Sequence, residues 1–327
     1  MPRHRGAIDL TTQSSHSVLK RIAPWAVTLG IFAALFWKIP FGRVVDALEG
    51  AQWGRFILLM APYSLFYCAV DAAVVRQAVA WFNVPVRYRD VFPIRATTYI
   101  LTLLNSQLGQ GGLAVFLHKR YRLPLWQITG TVLVLLLVET YQLAAYSFVG
   151  ASLTGELGRS VSPWPYAGLG AYLLFHLWFF SKPRQGKIGS AQVLQTFHRA
   201  RPWQYLVLLL MKTPNLLAAV TVYWLALPLF GVTLPFTALL TYLPLIFFFS
   251  AMPAAAKLGP SQAAWVYFFG SRAPEANLVA FSLAAHLTFM MLNALLGLCF
   301  LKRAMRELDG PDDDRSTEAS SGGSSVA

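Results

Sequence analysis

Residues 125–150 read LWQITGTVLVLLLVETYQLAAYSFVG, an apolar run of 26 residues in which Glu139 is the only charged side chain. A helix needs about 20 predominantly apolar residues to cross the hydrocarbon core of a bilayer, so this run is long enough to span one. A carboxylate at its centre is expensive in lipid and needs a partner or water. Runs of the same kind cover residues 22–39, 56–82, 164–180, 203–231 and 276–301. Six such runs make the chain an all-α polytopic membrane protein.

Composition agrees. Of 327 residues, 56% are hydrophobic and 13% charged, against about 25% charged in a soluble domain. Cys68 and Cys299 both fall in apolar runs and offer neither a disulfide framework nor metal-ligand spacing. Lys and Arg number 27 against 14 Asp and Glu, a net charge of +13. In a soluble protein that balance would point to nucleic acid. Here the basic residues lie in short clusters between apolar runs, the pattern of cytoplasmic loops, and such clusters attract anionic lipid headgroups. The expected partner is therefore an anionic lipid, with no nucleic acid, no metal and no cofactor.

Residues 1–21 are polar and basic (Arg3, Arg5, Lys20, Arg21) and read as a cytoplasmic segment. The run at 22–39 is too long for a signal-peptide core and lacks a small-residue cleavage site, so it reads as an uncleaved first span. The transmembrane region extends over 22–306. Residues 307–327, with Pro311-Asp312-Asp313-Asp314 followed by Ser, Thr and Gly, read as a disordered cytoplasmic tail.

Two further apolar segments are interrupted. One, 99–117, is broken by Asn105-Ser106-Gln107-Leu108-Gly109-Gln110-Gly111-Gly112. The other, 236–269, is broken by Pro253-Ala254-Ala255-Ala256-Lys257-Leu258-Gly259-Pro260. Irregular backbone at membrane depth must face protein or a water-filled cavity. If both segments re-enter, dipping in and returning to one side, the loop cations divide 19 inside against 6 outside, with both termini inside. If both crossed fully, the basic stretches at 119–122 and 182–201 would move outside. Re-entry gives six full spans plus two broken-helix segments. The set 56–150 then mirrors the set 203–301 across the membrane plane, and Thr98-Tyr99-Ile100 stands opposite Thr241-Tyr242-Leu243. Inverted repeats whose broken helices meet near the midplane are a transporter architecture.

In order and spacing these pieces resemble the transmembrane, flippase-like region of the lysylphosphatidylglycerol synthase/flippase family, over residues 51–301. The resemblance rests on Val74-Val75-Arg76-Gln77-Ala78-Val79-Ala80-Trp81, Leu103-Leu104-Asn105 and the Gly-rich break. It continues through His118-Lys119-Arg120, Leu136-Leu137-Val138-Glu139, Phe249-Ser250-Ala251-Met252-Pro253 and Lys257-Leu258-Gly259. It implies a protein of the bacterial inner membrane that moves or presents a lipid between leaflets. The chain departs from the family pattern at Gln107, Gly111-Gly112 and Val115, where the family has a Pro and then Gly-Glu followed by Arg. It departs again at Thr140, which takes the place of Arg, and at Gln262, which takes the place of Glu. These departures remove charge, so a lipid other than an aminoacylated one is expected. The soluble aminoacyl-transfer domain of full-length synthases has no counterpart after the last apolar run, so no enzymatic activity of that kind is expected.

The ionisable residues within the apolar runs are Asp71, Arg76, Glu139, His176, Lys212 and His286. Lys212 lies too deep to reach the surface easily and is expected to pair with Asp71 or Glu139 and to meet a lipid phosphate. Arg76 sits near the inner surface, where a snorkelling headgroup contact is expected. His176 and His286 read as interhelical hydrogen-bond partners. Asn105, Gln107 and Gln110, with Gly111 and Gly112, are expected to form a loop whose amides and backbone N–H groups hold an anionic headgroup. Pro253, Lys257 and Gly259 would do the same at the second break. Two other readings remain open at this point: a scaffold for a separate lipid-synthesis enzyme or glycosyltransferase, and a membrane enzyme using Glu139 as base.

Overall fold

The computed structural model describes residues 28–104, 106–159, 161–181, 191–250 and 258–309. The expected N-terminal segment 1–21, Asn105, Pro253, Lys257 and the tail from residue 310 lie outside the described residues. Every named element is helical. Pro40 separates α1 (Thr28–Lys38) from α2 (Phe41–Glu49), which bend by 89°. The apolar run at 22–39 therefore does not continue as one straight helix into the following segment.

There follow α3 (Trp53–Phe82), α4 (Tyr88–Leu104), α5 (Ser106–Tyr121) and α6 (Leu125–Leu153). After α7 (Trp164–Ser181) and the short α8 (Gln192–Arg199) come α9 (Pro202–Ala226), α10 (Phe236–Ser250), α11 (Pro260–Phe269) and α12 (Glu275–Asp309). Pro202 at the first turn of α9 fits a position whose N–H has no helical partner. A 3₁₀ turn, Leu227–Phe230, extends α9 and ends at Gly231, whose φ of 71° only glycine adopts readily.

Among the described residues four helices are long and apolar enough to cross a membrane: α3, α6, α9 with its 3₁₀ turn, and α12. The bent α1–α2 pair makes a fifth if counted as one span. The 18-residue α7 is not among them, because Pro165, Gly168, Gly170, Tyr172 and His176 dilute its apolar run. Only 22% to 39% of the most apolar windows of the four is buried within the protein. Leucines such as Leu58 and Leu298 stand 74% and 55% exposed. Apolar surface on that scale is solvated by lipid. The chain is an all-helical, multi-pass membrane protein.

The interrupted segments are hairpins. In the first, α5 runs back along α4: a Cβ on Gly109 would collide with Thr102, and one on Gly112 with Leu101. In the second, α11 returns along α10, with Tyr242 stacked on Phe268 at 5.1 Å. Thr131 Oγ1 at the start of α6 donates to Asn83 Oδ1 after α3 at 2.7 Å. Asn277 Nδ2 at the start of α12 donates to the Phe230 carbonyl after α9 at 2.8 Å.

The two sets of helices also pack reciprocally. The first arm of each hairpin lies on the closing helix of the other set, α4 on α12 and α10 on α6, and α3 lies on α9. Glycine permits both crossings. A Cβ on Gly297 of α12 would sit 2.5 Å from the Ala96 carbonyl oxygen, and one on Gly150 of α6 would sit 2.7 Å from the Thr241 backbone. Small residues at such crossings let helix backbones meet closely. One core cluster joins α3 to α9–α12 around Phe56, Trp265 and Phe281, and a second joins α3 to α4–α6 around Val75, Ile94 and Leu117.

Candidate functional site

Between the two core clusters lies a cavity of about 240 Å³, lined from α3, α4, α5, α6, α9, α10, α11 and α12. Its wall mixes partly buried rings (Tyr67, Phe247, Phe289) with polar groups (Arg95, Gln110, Glu139, Lys212, His286). Glu139 falls at the midpoint of Leu125–Leu153 and Lys212 near the middle of Pro202–Phe230. The polar groups thus stand half-way along the helices, as far from either helix end as the fold allows.

Two ion pairs organise the cavity, and they differ in kind. Lys212 Nζ donates to Glu139 Oε2 at 2.7 Å, with the lysine side chain 9% exposed and the glutamate 43% exposed. Glu139 is thus the more exposed partner of this pair. The other pair, Arg95 with Asp71, is buried on both sides, with side chains 8% and 7% exposed. The Tyr99 hydroxyl donates to Asp71 Oδ2 at 2.9 Å, and the Arg95 guanidinium lies 4.8 Å from the Tyr99 ring centroid. Asp71 sits behind Arg95 and Tyr99, which line the cavity as Asp71 does not. A buried charge left unpaired is far more costly than a paired one, so Asp71 and Tyr99 together hold Arg95 at the wall.

Sequence reasoning missed Arg95. In the sequence it passes for one of the inside loop cations, because Arg87, Arg89, Asp90 and Pro93 disguise the start of α4. The available signal was the spacing to Tyr99, four residues on, which places both side chains on one helix face. Asn215, Gln142 and Asn293, which also line the cavity, were not singled out for binding either. The pairing alternatives for Lys212 resolve to Glu139.

The Gly-rich stretch differs most from expectation. It is not an irregular loop: α5 begins at Ser106, so Gln107 to Gly112 is helical, and the N–H groups are engaged in the helix from Gln110 onward. Of the described side chains in this stretch only Gln110 lines the cavity; the side chain of Gln107 lies outside the described residues. Gly109 and Gly112 serve the close approach of α4 and α5, whereas a Cβ on Gly111 would meet open space. Gly111→Ala is therefore expected to leave stability unchanged or raise it by about 0.5 kcal/mol, as for Gly→Ala in a helix. Gly112→Leu, overpacked against Leu101, should lose roughly 2 kcal/mol. Thermal melting in detergent reads both, and equal melting of the two variants would contradict this packing.

Other expected site residues lie away from the cavity wall. Arg76 donates from Nε to the Val86 carbonyl at 3.2 Å and from Nη1 to Gln77 Oε1 at 3.0 Å, tying down the turn between α3 and α4. Gly259, with φ of 100°, precedes α11, and its N–H donates to Gln262 Oε1 at 2.7 Å. It shapes the entry to α11, whose Ser261 and Trp265 reach the cavity. His176 bonds the Tyr205 hydroxyl at 3.1 Å and packs on Phe180 and Phe197, joining α7 to α9 and α8. Among the described residues no group of three His, Cys, Asp or Glu is placed to hold a metal ion.

No protein-family model matches the chain, and no curated protein sequence matches it.

Proposed function

We propose that this protein moves or presents an anionic lipid between the leaflets of a bacterial inner membrane. The observation that carries the reading is the cavity: polar, half-way along long apolar helices, and walled by both sets of helices. Charged side chains at such depth are rare in membrane proteins and mark substrate or ion pathways. Arg95 and Lys212 supply cations for a phosphate, and the accessible Glu139 carboxylate can release Lys212 to it. The ordered resemblance of residues 51–301 to the flippase-like family supports the same reading.

In this reading the chain has six spans, with the run at 22–39, which holds α1, and α7 completing the four long helices, and two re-entrant hairpins. The two sets form an inverted repeat, supported by the reciprocal crossings at Gly150 and Gly297. In those crossings Gly297 meets Ala96 and Ile100 of α4, two residues either side of Thr98, and Gly150 meets Thr241 of α10. With Arg95 placed in α4, loop cations divide 18 inside against 6 outside, which keeps both termini in the cytoplasm. The ion pairs Lys38–Glu275 and Arg272–Glu156 join segments that this topology assigns to one side. A membrane-impermeant maleimide applied to whole cells should label Arg159→Cys and leave Lys119→Cys unlabelled; external labelling at position 119 would exclude the topology.

The functional test is reconstitution with fluorescent phosphatidylglycerol. Replacing Lys212 by Gln is expected to slow translocation on the order of tenfold, as for losing a hydrogen bond to a charged group. Glu139→Gln should slow it while leaving lipid binding measurable. Wild-type rates in both variants would count against the cavity as the route.

A further inference from the structure

The cavity holds its charge in matched pairs: Arg95 stands against Asp71 and Lys212 against Glu139. A phosphodiester that enters adds a negative charge that neither pair offsets. An uncompensated charge at membrane depth is costly, so the headgroup either brings a positive charge with it or removes a negative one from the wall.

The two carboxylates are not equally placed to give up their charge. Asp71 is 7% exposed, does not line the cavity, and accepts from the Tyr99 hydroxyl at 2.9 Å as well as from Arg95. It keeps its charge and its arginine. Glu139 lines the cavity, is 43% exposed, and holds the Lys212 ammonium through Oε2 at 2.7 Å. A phosphate that takes this ammonium leaves the Glu139 carboxylate beside a second anion. Like charges at contact distance favour protonation of one of them. A phosphodiester is a strong acid and stays ionised near neutral pH, so the proton goes to Glu139.

The groups that face Glu139 from the surrounding helices do not take its place. α3 contributes Tyr63 and Tyr67, α4 contributes Arg95 and Tyr99, and α9 contributes Tyr223 beside Lys212. Phenols and guanidinium stay protonated near neutral pH. α5, α10 and α11 line the cavity without a titratable side chain among the described residues, and α7 and α8, which also pack on α6, contribute nothing to its described lining. His286 on α12 lines the cavity too, and an imidazole exchanges its proton near neutrality, so the test includes it. Resting on the reading of the cavity as a lipid-headgroup site, we propose that headgroup binding is coupled to proton uptake at Glu139. One carboxylate oxygen takes a proton from water as the phosphate takes the Lys212 ammonium. The proton leaves when the lipid departs and the ion pair re-forms. Each singly charged lipid then crosses with one proton, an electroneutral step that a proton gradient can drive.

The probe is glycerophosphoglycerol, the soluble headgroup of phosphatidylglycerol, whose phosphodiester does not change charge near neutral pH. It is titrated into the full-length protein in detergent, in weakly buffered solution with a pH indicator. Wild type is expected to take up at least about half a proton per bound diester, and its affinity to fall about threefold or more per pH unit from about pH 6 to pH 8, as linkage requires. Glu139→Gln mimics the protonated carboxyl, and is expected to bind the diester without proton uptake and with less than about a twofold change over that range. Binding by wild type without proton uptake, or uptake that persists in Glu139→Gln, would overturn the inference; loss of that persisting uptake in His286→Gln would assign the proton to the imidazole. Absence of saturable binding would overturn it as well.

A second measurement needs no variant. In vesicles carrying the wild-type protein, acid outside is expected to speed inward movement of fluorescent phosphatidylglycerol, and a proton ionophore to return it to the rate without a gradient. Equal rates with and without the gradient would overturn the coupling. If the diester binds without proton uptake and the labelled lipid still moves, this inference alone fails. If binding takes up protons and no lipid moves, the translocation reading alone fails.

Discussion

Replacing Asp71 by Ala is expected to destabilise the protein by roughly 3–5 kcal/mol, the range for removing one partner of a buried ion pair. The Arg95 guanidinium would then stand 8% exposed with no carboxylate beside it. Neither the Tyr99 ring face nor the Thr98 hydroxyl, 3.4 Å from Nη1, replaces a full negative charge. The double variant Asp71→Ala/Arg95→Met should recover much of the loss, because an apolar pair of similar volume removes the stranded charge. The other ion pair behaves differently. Glu139 is 43% exposed and the Gln amide oxygen can still accept from Lys212, but Lys212 is 9% exposed and loses its counter-charge, so Glu139→Gln should lose about 1–3 kcal/mol, less than Asp71→Ala. Melting of the purified variants separates the cases, and a small loss for Asp71→Ala would show that Arg95 finds another partner.

The second large effect concerns the helix crossings. A Cβ on Gly297 would lie 2.5 Å from the Ala96 carbonyl oxygen and 2.9 Å from Ile100 Cγ1. On Gly150 it would lie 2.7 Å from both N and Cα of Thr241. The obstructing atoms are largely backbone within helices, which cannot rotate away as a side chain can, so the helices themselves must separate. Gly297→Val and Gly150→Val are each expected to lose roughly 3 kcal/mol, the upper end for overpacking a core. Gly168→Ala, on α7 where a Cβ meets nothing within 4 Å, should change little. Because the two crossings join opposite sets of helices, both valine variants should open the packing between them. Near wild-type melting of either would contradict the reciprocal arrangement.

The membrane-crossing helices were legible in the sequence because a bilayer imposes a minimum apolar length, and α3, α6, α9 and α12 each exceed it. α4 was not, since Arg87, Arg89, Asp90 and Pro93 resemble a loop until Asp71 and Tyr99 are seen to receive Arg95. The glycines at 109 and 112 were visible as unusual, but composition does not separate backbone exposure from close helix packing; only the neighbours Thr102 and Leu101 do. In the same way, the deep position of Lys212 demanded a partner without saying which carboxylate stands across from it. The amides of Gln142, Asn215 and Asn293 carried no signal, because their meeting depends on how three separate helices pack.

The central claim is that the cavity is a route for lipid, and the most direct measurement uses the purified wild-type protein alone. Vesicles reconstituted with it, carrying a fluorescent phosphatidylglycerol, are treated with a membrane-impermeant quencher. The account predicts that inner-leaflet label becomes accessible over time in these vesicles and stays protected in protein-free ones. Equal protection in both, with the protein folded and an ion gradient either present or absent, would contradict it and leave the polar cavity to a scaffolding role beside another lipid-handling enzyme.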